Sequence, residues 1–127
     1  RAWMNNNLFE VLPNELKANI RSVEKKCDLG QYYYKEQSQE PVTVSDLIWM
    51  PSAAELGGTS VSNVVPGQNE PYPLFTTYST RKKNGGVYYT RSSNMSLMHY
   101  FEGVDSMGNW TNVTGAGGAG YVFGFCL

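Results

Sequence analysis

The spacing of apolar residues in the first part of the chain predicts helices. Leu16 and Ile20 lie one helical turn apart, so they share one face of a helix. Pro13 and Glu15 favour a helix start just before that face, because proline fits a first turn and a carboxylate favours the positive helix end. The pattern predicts two N-terminal helices, one over residues 1–6 and one that begins at Pro13.

The middle of the chain predicts a buried strand and a capped helix. Residues 42–51 contain the continuous apolar run LIWM, which is typical of a buried strand. Ser52 and Glu55 then have the spacing of a capping box around a short helix over residues 53–56. A glycine pair follows and is expected to end this helix.

Two polar stretches without periodicity are predicted to be loops. They cover residues 30–40 and 59–73, whereas residues 20–27 are predicted to lead from helix into strand. The run of three tyrosines at 32–34 is compatible with two roles, which are to line a ligand groove or to cover an exposed edge of the core.

The last forty residues predict short strands separated by turns of small residues. The predicted strands cover residues 87–89, 97–104, 110–113 and 121–127, with turns at 84–86 and 105–108 and a connector at 115–120. Aromatic residues at 121, 123 and 125 alternate, as one face of a sheet requires. Helices followed by an antiparallel meander predict an α+β fold, as one domain over residues 1–127.

The length and charge of the chain limit the kinds of partner that it is predicted to bind. A chain of 127 residues is long enough to bury a core without metal or disulfide support. Its net charge of −1 and its scattered basic residues predict no nucleic-acid partner. No apolar run approaches the roughly 20 residues of a membrane span, so no membrane insertion is predicted. Because the chain opens at Arg1 and not at Met, it is expected to be a segment of a longer protein.

Residues suited to catalysis or metal binding are sparse. His99 is the single histidine and falls within a predicted strand, where a surface or packing role is expected. Cys27 and Cys126 lack metal-ligand spacing; they either form a disulfide or, in the favoured interpretation, stay as thiols with Cys126 buried. The segment 69–71 does not have the residue order of a calcium-dependent sugar site. The chain is therefore predicted to be non-enzymatic, with no cofactor and no metal.

The composition of residues 88–127 is typical of a recognition surface. This segment is rich in Gly, Ser, Asn and Tyr, and only Arg91, Glu102 and Asp105 are ionised. Tyrosine and tryptophan offer large contact areas at low entropic cost, while serine and asparagine adapt their hydrogen bonds to a partner. The predicted ligand-binding residues are Arg91, Ser93, Asn94, Ser96, Tyr100, Asn109, Trp110 and Asn112.

Two kinds of role are predicted within this set. Tyr100 and Trp110 are expected to be aromatic anchors, and the asparagine and serine side chains are expected to supply adaptable hydrogen bonds. The alternative interpretation is a neutral, solvated face that binds nothing.

Five segments of the chain, in order, resemble motifs of an uncharacterised bacterial and phage domain family. RAWMNNNLF resembles its R-x-W-L-N opening, and VTVSDLIWMPSAAE resembles its T-x-D-K-L-F-L-L-S-x-x-E segment. YYTRSSN resembles its W-W-L-R-S-P segment, EGVDSMGNW its V-x-x-x-G hairpin, and GYVFGFCL its terminal G-V-R-P-A-F-C-L. The chain departs from the family by its tyrosine pair and by the absence of the terminal Arg-Pro. The match implies a structural role for Arg91, in a pair with Asp46 or Glu55.

This family is similar to the C-type-lectin-like domains of the formylglycine-generating-enzyme type. The resemblance implies a C-type-lectin-like fold with two N-terminal helices and a C-terminal antiparallel sheet, whose first strand lies upstream of Arg1 or is replaced. The group includes variable proteins of diversity-generating retroelements, in which a C-terminal segment is mutated at adenine-rich codons and binds the ligand. Its enzymes use paired active-site cysteines, and no matching pair occurs in the C-terminal segment here.

The resemblance implies a diversified receptor-binding or ligand-binding module of a phage tail or bacterial surface protein. The expected partner is a cell-surface protein or glycan, the expected location is the virion tail or the bacterial cell surface, and a homo-trimer through the parent protein fits this role. Diversification predicts that related genes differ at Asn94, Asn109 and Asn112 but agree at positions such as Leu47 and Phe125. The alternative is a structural knob or trimerising appendage without its own ligand.

Overall fold

The computed structural model describes residues 1–27, 41–58, 67–75, 77–83, 85–97 and 99–127. Over these residues the chain is a small α+β domain made mostly of sheet, with few short helices, and the predicted class is confirmed at this level. The elements are a π-helix at Met4–Leu8, α1 (Asn14–Lys17), β1 (Val23–Cys27), β2 (Val42–Asp46), α2 (Tyr78–Arg81), β3 (Tyr88–Ser93), β4 (Tyr100–Val104), β5 (Trp110–Thr114) and β6 (Gly120–Tyr121). The predictions for residues 30–40 with their tyrosine run, for 59–66 and for position 84 lie outside the described residues.

The N-terminal helical turns are short, and a side chain holds the first of them in place. Asn5 of the π-helix accepts hydrogen bonds from the backbone N–H groups of Leu47 (2.6 Å) and Ile48 (3.2 Å). Its amide nitrogen donates to the Asp46 carboxylate at 3.0 Å. These bonds fasten the π-helix to the end of β2, where the chain leaves the strand.

Two sheets form the body of the domain. β1 and β2 pair antiparallel, from Val23 opposite Asp46 to Cys27 opposite Val42. The second sheet has the strand order β5-β4-β3-β6, in which β5, β4 and β3 form an antiparallel meander. β6 pairs with β3 in parallel, so the prediction of a wholly antiparallel C-terminal sheet is wrong at its last strand. The chain crosses to the far side of β3 after β5, and this crossover fixes the parallel direction.

The end of the chain joins the two sheets. Of the strand predicted over residues 121–127, only the first residue belongs to β6, and the rest makes isolated bridges. Gly124 exchanges two backbone hydrogen bonds with Trp49, at 3.1 and 2.9 Å, and the Arg21 N–H donates to the Cys126 carbonyl at 2.9 Å. Cys126 is exposed and is not joined to Cys27, so the expectation of a buried Cys126 is wrong.

The predicted buried strand over 42–51 ends earlier than expected. β2 stops at Asp46, after which the chain bends and Trp49 returns as an isolated bridge. Ile48 and Trp49 are nevertheless buried, in agreement with their apolar run. The side chain of Asn5 takes the backbone hydrogen bonds that a continuing strand would have used.

The predicted helix over 53–56 is a turn, but its capping interactions are present. The Ser52 N–H donates to the Glu55 carboxylate at 2.9 Å, and the Glu55 N–H donates to the Ser52 hydroxyl at 3.1 Å. Leu56 then packs with Tyr88 and Val104 in the core, where Phe75, Trp110 and Val122 cover them. The turn thus places Leu56 against the four-stranded sheet.

Two boundaries in the C-terminal sheet differ from the predicted ones. β3 is longer than the predicted 87–89 and continues to Ser93. β4 begins at Tyr100 and not at residue 97, because His99 has a φ of +65° and forms part of a turn. His99 is therefore an exposed turn residue and not a strand residue.

Gly108 lies where the β4–β5 hairpin packs closely against α2. It has a φ of +91°, and an added Cβ would lie 2.0 Å from the carbonyl oxygen of Tyr78. We expect Gly108→Ala to lower the free energy of unfolding by about 3 kcal/mol, because both the backbone angle and the contact oppose a side chain.

The matched control is Gly118→Ala, since an added Cβ there meets nothing within 4 Å. We expect that variant to change the free energy of unfolding by less than about 1 kcal/mol in urea denaturation. Equal effects of the two substitutions would contradict the observed docking of the hairpin on α2.

Candidate functional site

Asn94 links the three strands that carry most of the predicted site residues. Its amide nitrogen donates to the carboxylate of Glu102 and to the side-chain oxygen of Asn112, both at 2.9 Å. Its side-chain oxygen accepts the backbone N–H groups of Ser96 and Leu97, also at 2.9 Å. One buried amide therefore fixes the loop after β3 and a side chain on β5 at once.

Strand register explains why these residues meet. Glu102 of β4 lies opposite Asn112 of β5, and Tyr100 lies opposite Thr114. Because side chains two residues apart on a strand point to the same face, Tyr100 and Asn112 are diagonal neighbours on one surface. Asn112 is exposed and Tyr100 is half-buried.

The exposed part of this arrangement is called the Asn112 face below. Besides Asn112, Tyr100 and Ser96, it includes the side chains of the turn that Asn94 organises. Met95 and Leu97 in that turn are 38% and 43% exposed, although they are apolar. The sequence predictions omitted both residues, because single exposed apolar positions have no periodic signal.

Glu102 is the buried cross-strand neighbour of Asn112 and was not predicted as a site residue. It is 4% exposed, and burial raises the pKa of its carboxyl group despite the hydrogen bond from Asn94. The signal in the sequence was a lone carboxylate in the otherwise uncharged strand YFEGV. A buried carboxylate that accepts an amide hydrogen bond holds that amide in one orientation.

Asn109 and Trp110 lie at the turn end of the β4–β5 hairpin, whereas Tyr100 lies at its other end. The Asn109 amide donates to Asp105 at 3.3 Å within the hairpin turn, and Asn109 lies three positions before Asn112, about 10 Å along the chain. Trp110 packs against the core, and the Arg81 guanidinium lies 4.9 Å from its ring centroid. The structure does not bring either residue to Tyr100, so the predicted pair of aromatic anchors is not assembled.

Ser93 and Arg91 are also removed from the exposed surface. Ser93 is 9% exposed and pairs with Phe101 between β3 and β4. Arg91 forms an ion pair with the carboxylate of Glu55 at 2.5 Å, which is one of the two partners that the resemblance implied. It also donates to the Met50 carbonyl at 2.7 Å.

Glu55 is the centre of a buried polar network. One carboxylate oxygen accepts Lys25 Nζ at 2.9 Å and the Tyr72 hydroxyl at 3.0 Å. The other accepts Arg91 Nη1 and the backbone N–H of Ser52. Burial acts to raise the pKa of Glu55, but the hydrogen bond and charge of Arg91, with the bonds from Lys25 and Ser52, outweigh it and lower the pKa.

The geometry of this network is that of a structural link between segments of the chain and not of an acid–base site. Glu55 is fully buried, and each of its oxygens is occupied by two donors, so it has no lone pair directed at a substrate. Within the described residues there is no cluster of three His, Cys, Asp or Glu that could hold a metal ion. None of the helices in the same ranges is long and apolar enough to cross a membrane.

Cavities adjoin the sheets. One of about 450 Å³ is lined by Tyr89, Phe101 and Tyr121 on the sheet and by Cys27 and Arg91. The Tyr89 ring stacks on Tyr121 at 5.4 Å and meets Phe101 edge-on at 6.2 Å, so its aromatic wall is already packed. A second cavity, of about 640 Å³, lies beside Trp49 and the C-terminal residues.

We expect Glu55→Gln to lower the free energy of unfolding by about 3 kcal/mol at pH 7, because it leaves two buried cations without their carboxylate. The folded-state pKa of Glu55 is lowered, so its ionisation stabilises the fold above its unfolded value of 4.5. That contribution is lost as the pH falls through the folded value. The difference between wild type and variant should therefore narrow in acid.

Urea denaturation between pH 3 and 7 measures this difference, with Glu70→Gln as the control because Glu70 is exposed. The control should change stability by less than about 0.5 kcal/mol at each pH. A loss for Glu55→Gln that is the same at every pH would contradict the ionised network.

Comparison with known proteins adds no relative from which a role could be transferred. The chain matches no protein-family model, no curated protein and no solved structure. A function is therefore inferred from the residues and their geometry.

Proposed function

We propose that this chain is a non-enzymatic ligand-recognition domain whose binding surface is the Asn112 face. The observation that carries the proposal is the hydrogen bond from buried Asn94 to exposed Asn112, backed by Glu102. A side chain held in place before binding loses little rotamer entropy on binding, so it contributes more to affinity. A merely solvated asparagine does not need a buried carboxylate and a buried amide beside it.

The chemistry of the face suits an uncharged, partly apolar partner. Asn112 and Ser96 offer hydrogen-bond donors and acceptors, and Tyr100 offers a ring with a polar tip. Met95 and Leu97 add apolar contact at the edge. A cell-surface protein or a glycan presents this mixture of hydroxyl, amide and apolar groups, and we propose such a partner.

The finer identity of the domain belongs to the same proposal. Resemblance to C-type-lectin-like variable proteins supports a C-type-lectin-like fold, on a phage tail or a bacterial surface. It also supports diversification of the C-terminal segment that carries the face. The second candidate is a structural knob or trimerising appendage. It is favoured only by the buried network around Glu55, which stabilises the fold whether or not a ligand binds.

Binding to intact bacterial cells and to an array of immobilised glycans tests the Asn112 face. We expect Asn112→Ala and Tyr100→Ala to weaken binding of the labelled chain at least about tenfold, because each removes a preorganised contact. Asn109→Ala is the matched control: it removes the same amide on the same hairpin, away from the face. It should leave binding unchanged.

The outcome decides between the two candidates. Circular dichroism of each variant must match wild type, so that a loss of binding is not a loss of fold. Equal binding by Asn112→Ala and wild type would exclude the Asn112 face. Binding to no cell and no glycan would favour the structural appendage.

Sequencing the gene segment for residues 88–127 in related isolates tests diversification. We expect substitutions to concentrate at exposed positions of the Asn112 face, such as Asn112 itself, with Glu55 and Arg91 constant. The four hydrogen bonds of the Asn94 side chain make it a constant position as well, which revises the expectation from the sequence. Asn112 codons as uniform as those of Glu55 would exclude diversification.

A further inference from the structure

The cavity beside Trp49 has the size and lining of a small-molecule site. Its volume of about 640 Å³ lies within the range of roughly 300–1,000 Å³ that is usual for ligand pockets. Aromatic residues from three parts of the chain form its walls, namely Trp49, Tyr72, Phe75 and Phe123. None of these walls belongs to the Asn112 face, so the cavity is a separate site.

Arg81 brings a buried positive charge to this cavity. It is 8% exposed, and its hydrogen bonds go to the backbone carbonyls of Gly108 at 3.3 Å and Leu56 at 3.4 Å. No carboxylate forms an ion pair with it among the residues that the structure describes. The rings of Trp110 and Tyr78 lie 4.9 and 5.8 Å from the guanidinium and offset part of the cost of its burial. An anion that enters the cavity would add the charged partner that these rings do not supply.

Other charges around the cavity strengthen this preference. Lys82 and Lys83 also line it and are exposed, whereas Lys25 is neutralised by Glu55 at 2.9 Å. No aspartate or glutamate is present among the described residues that line the cavity. The site therefore combines an aromatic wall with a cationic end.

We propose that this cavity binds a small aromatic carboxylate, with the carboxylate on Arg81 and the ring against the aromatic wall that includes Phe123. The planar guanidinium matches the two oxygens of a carboxylate. The apolar walls favour a ligand with an aromatic body and disfavour a small, strongly hydrated anion, which would lose its water without compensation. The proposal does not depend on what the Asn112 face binds.

Titration of the full chain with phenylacetate, followed by two-dimensional NMR, tests the site. We expect saturable shifts at the Trp49 indole N–H and the Gly124 amide. Phenylacetamide, which has the same shape without the charge, should bind at least about tenfold more weakly. Inorganic sulfate should bind more weakly than phenylacetate, because it cannot use the aromatic wall.

Variants separate the charge from the fold. Arg81→Met should weaken phenylacetate at least about tenfold, and the double variant Lys82→Met/Lys83→Met about threefold. Arg21→Met is the control, since Arg21 is exposed and does not line the cavity. It removes the same charge and should leave the affinity unchanged.

Several results would overturn the proposal. They are equal affinity for phenylacetate and phenylacetamide, equal or tighter binding of sulfate, or no saturable shift up to about 10 mM ligand. An affinity for phenylacetate that is unchanged in a folded Arg81→Met variant would also overturn the proposal. If Arg81→Met does not fold, the double lysine variant decides: its preference for acid over amide must fall below that of wild type, and an unchanged preference overturns the site.

Discussion

The buried carboxylate of Glu55 is the interaction on which the rest of the structure depends. It accepts hydrogen bonds from β1 through Lys25 and from β3 through Arg91. It also closes the turn at Ser52 and holds Tyr72 of the segment that follows. Glu55 thereby adds a side-chain link between the two sheets to the backbone bridges made by Gly124 and Cys126. Burying such a network carries a large desolvation cost. Its main effect is to fix one arrangement of the strands, more than to add stability.

The geometry of the proposed recognition surface depends on this network. Arg91 is anchored on β3, and its backbone N–H also donates to the Pro51 carbonyl at 3.0 Å. Asn94 follows three residues later, at the point where β3 gives way to a turn. Its position relative to β4 and β5 therefore depends on where Arg91 holds the strand. The proposed binding surface is in this way supported by a buried polar network beneath the strands.

Local signals in the sequence predicted local structure well and long-range pairing poorly. The α+β class, the β5 strand and the reciprocal bonds of Ser52 and Glu55 follow from short patterns, because neighbouring residues determine them. The parallel direction of β6 does not, since it depends on where a glycine-rich connector crosses the sheet. Composition predicted a recognition segment, which stays a prediction, but it could not show which of its residues are exposed. Asn94 carries the same side chain as Asn112, and only their places in the fold, directly after β3 and on β5, make one a buried support and the other a surface group.

The bridges made by the C-terminal residues have a consequence for synthesis on the ribosome. Arg21 and Trp49 obtain backbone partners from Cys126 and Gly124, which are translated long after them. Closing loops of this length is entropically costly and slow, and the early β1–β2 pair has little support until those partners emerge. Most of this domain is therefore expected to fold after its last strand leaves the exit tunnel. Until then its apolar residues are exposed on the nascent chain, where chaperones can bind them.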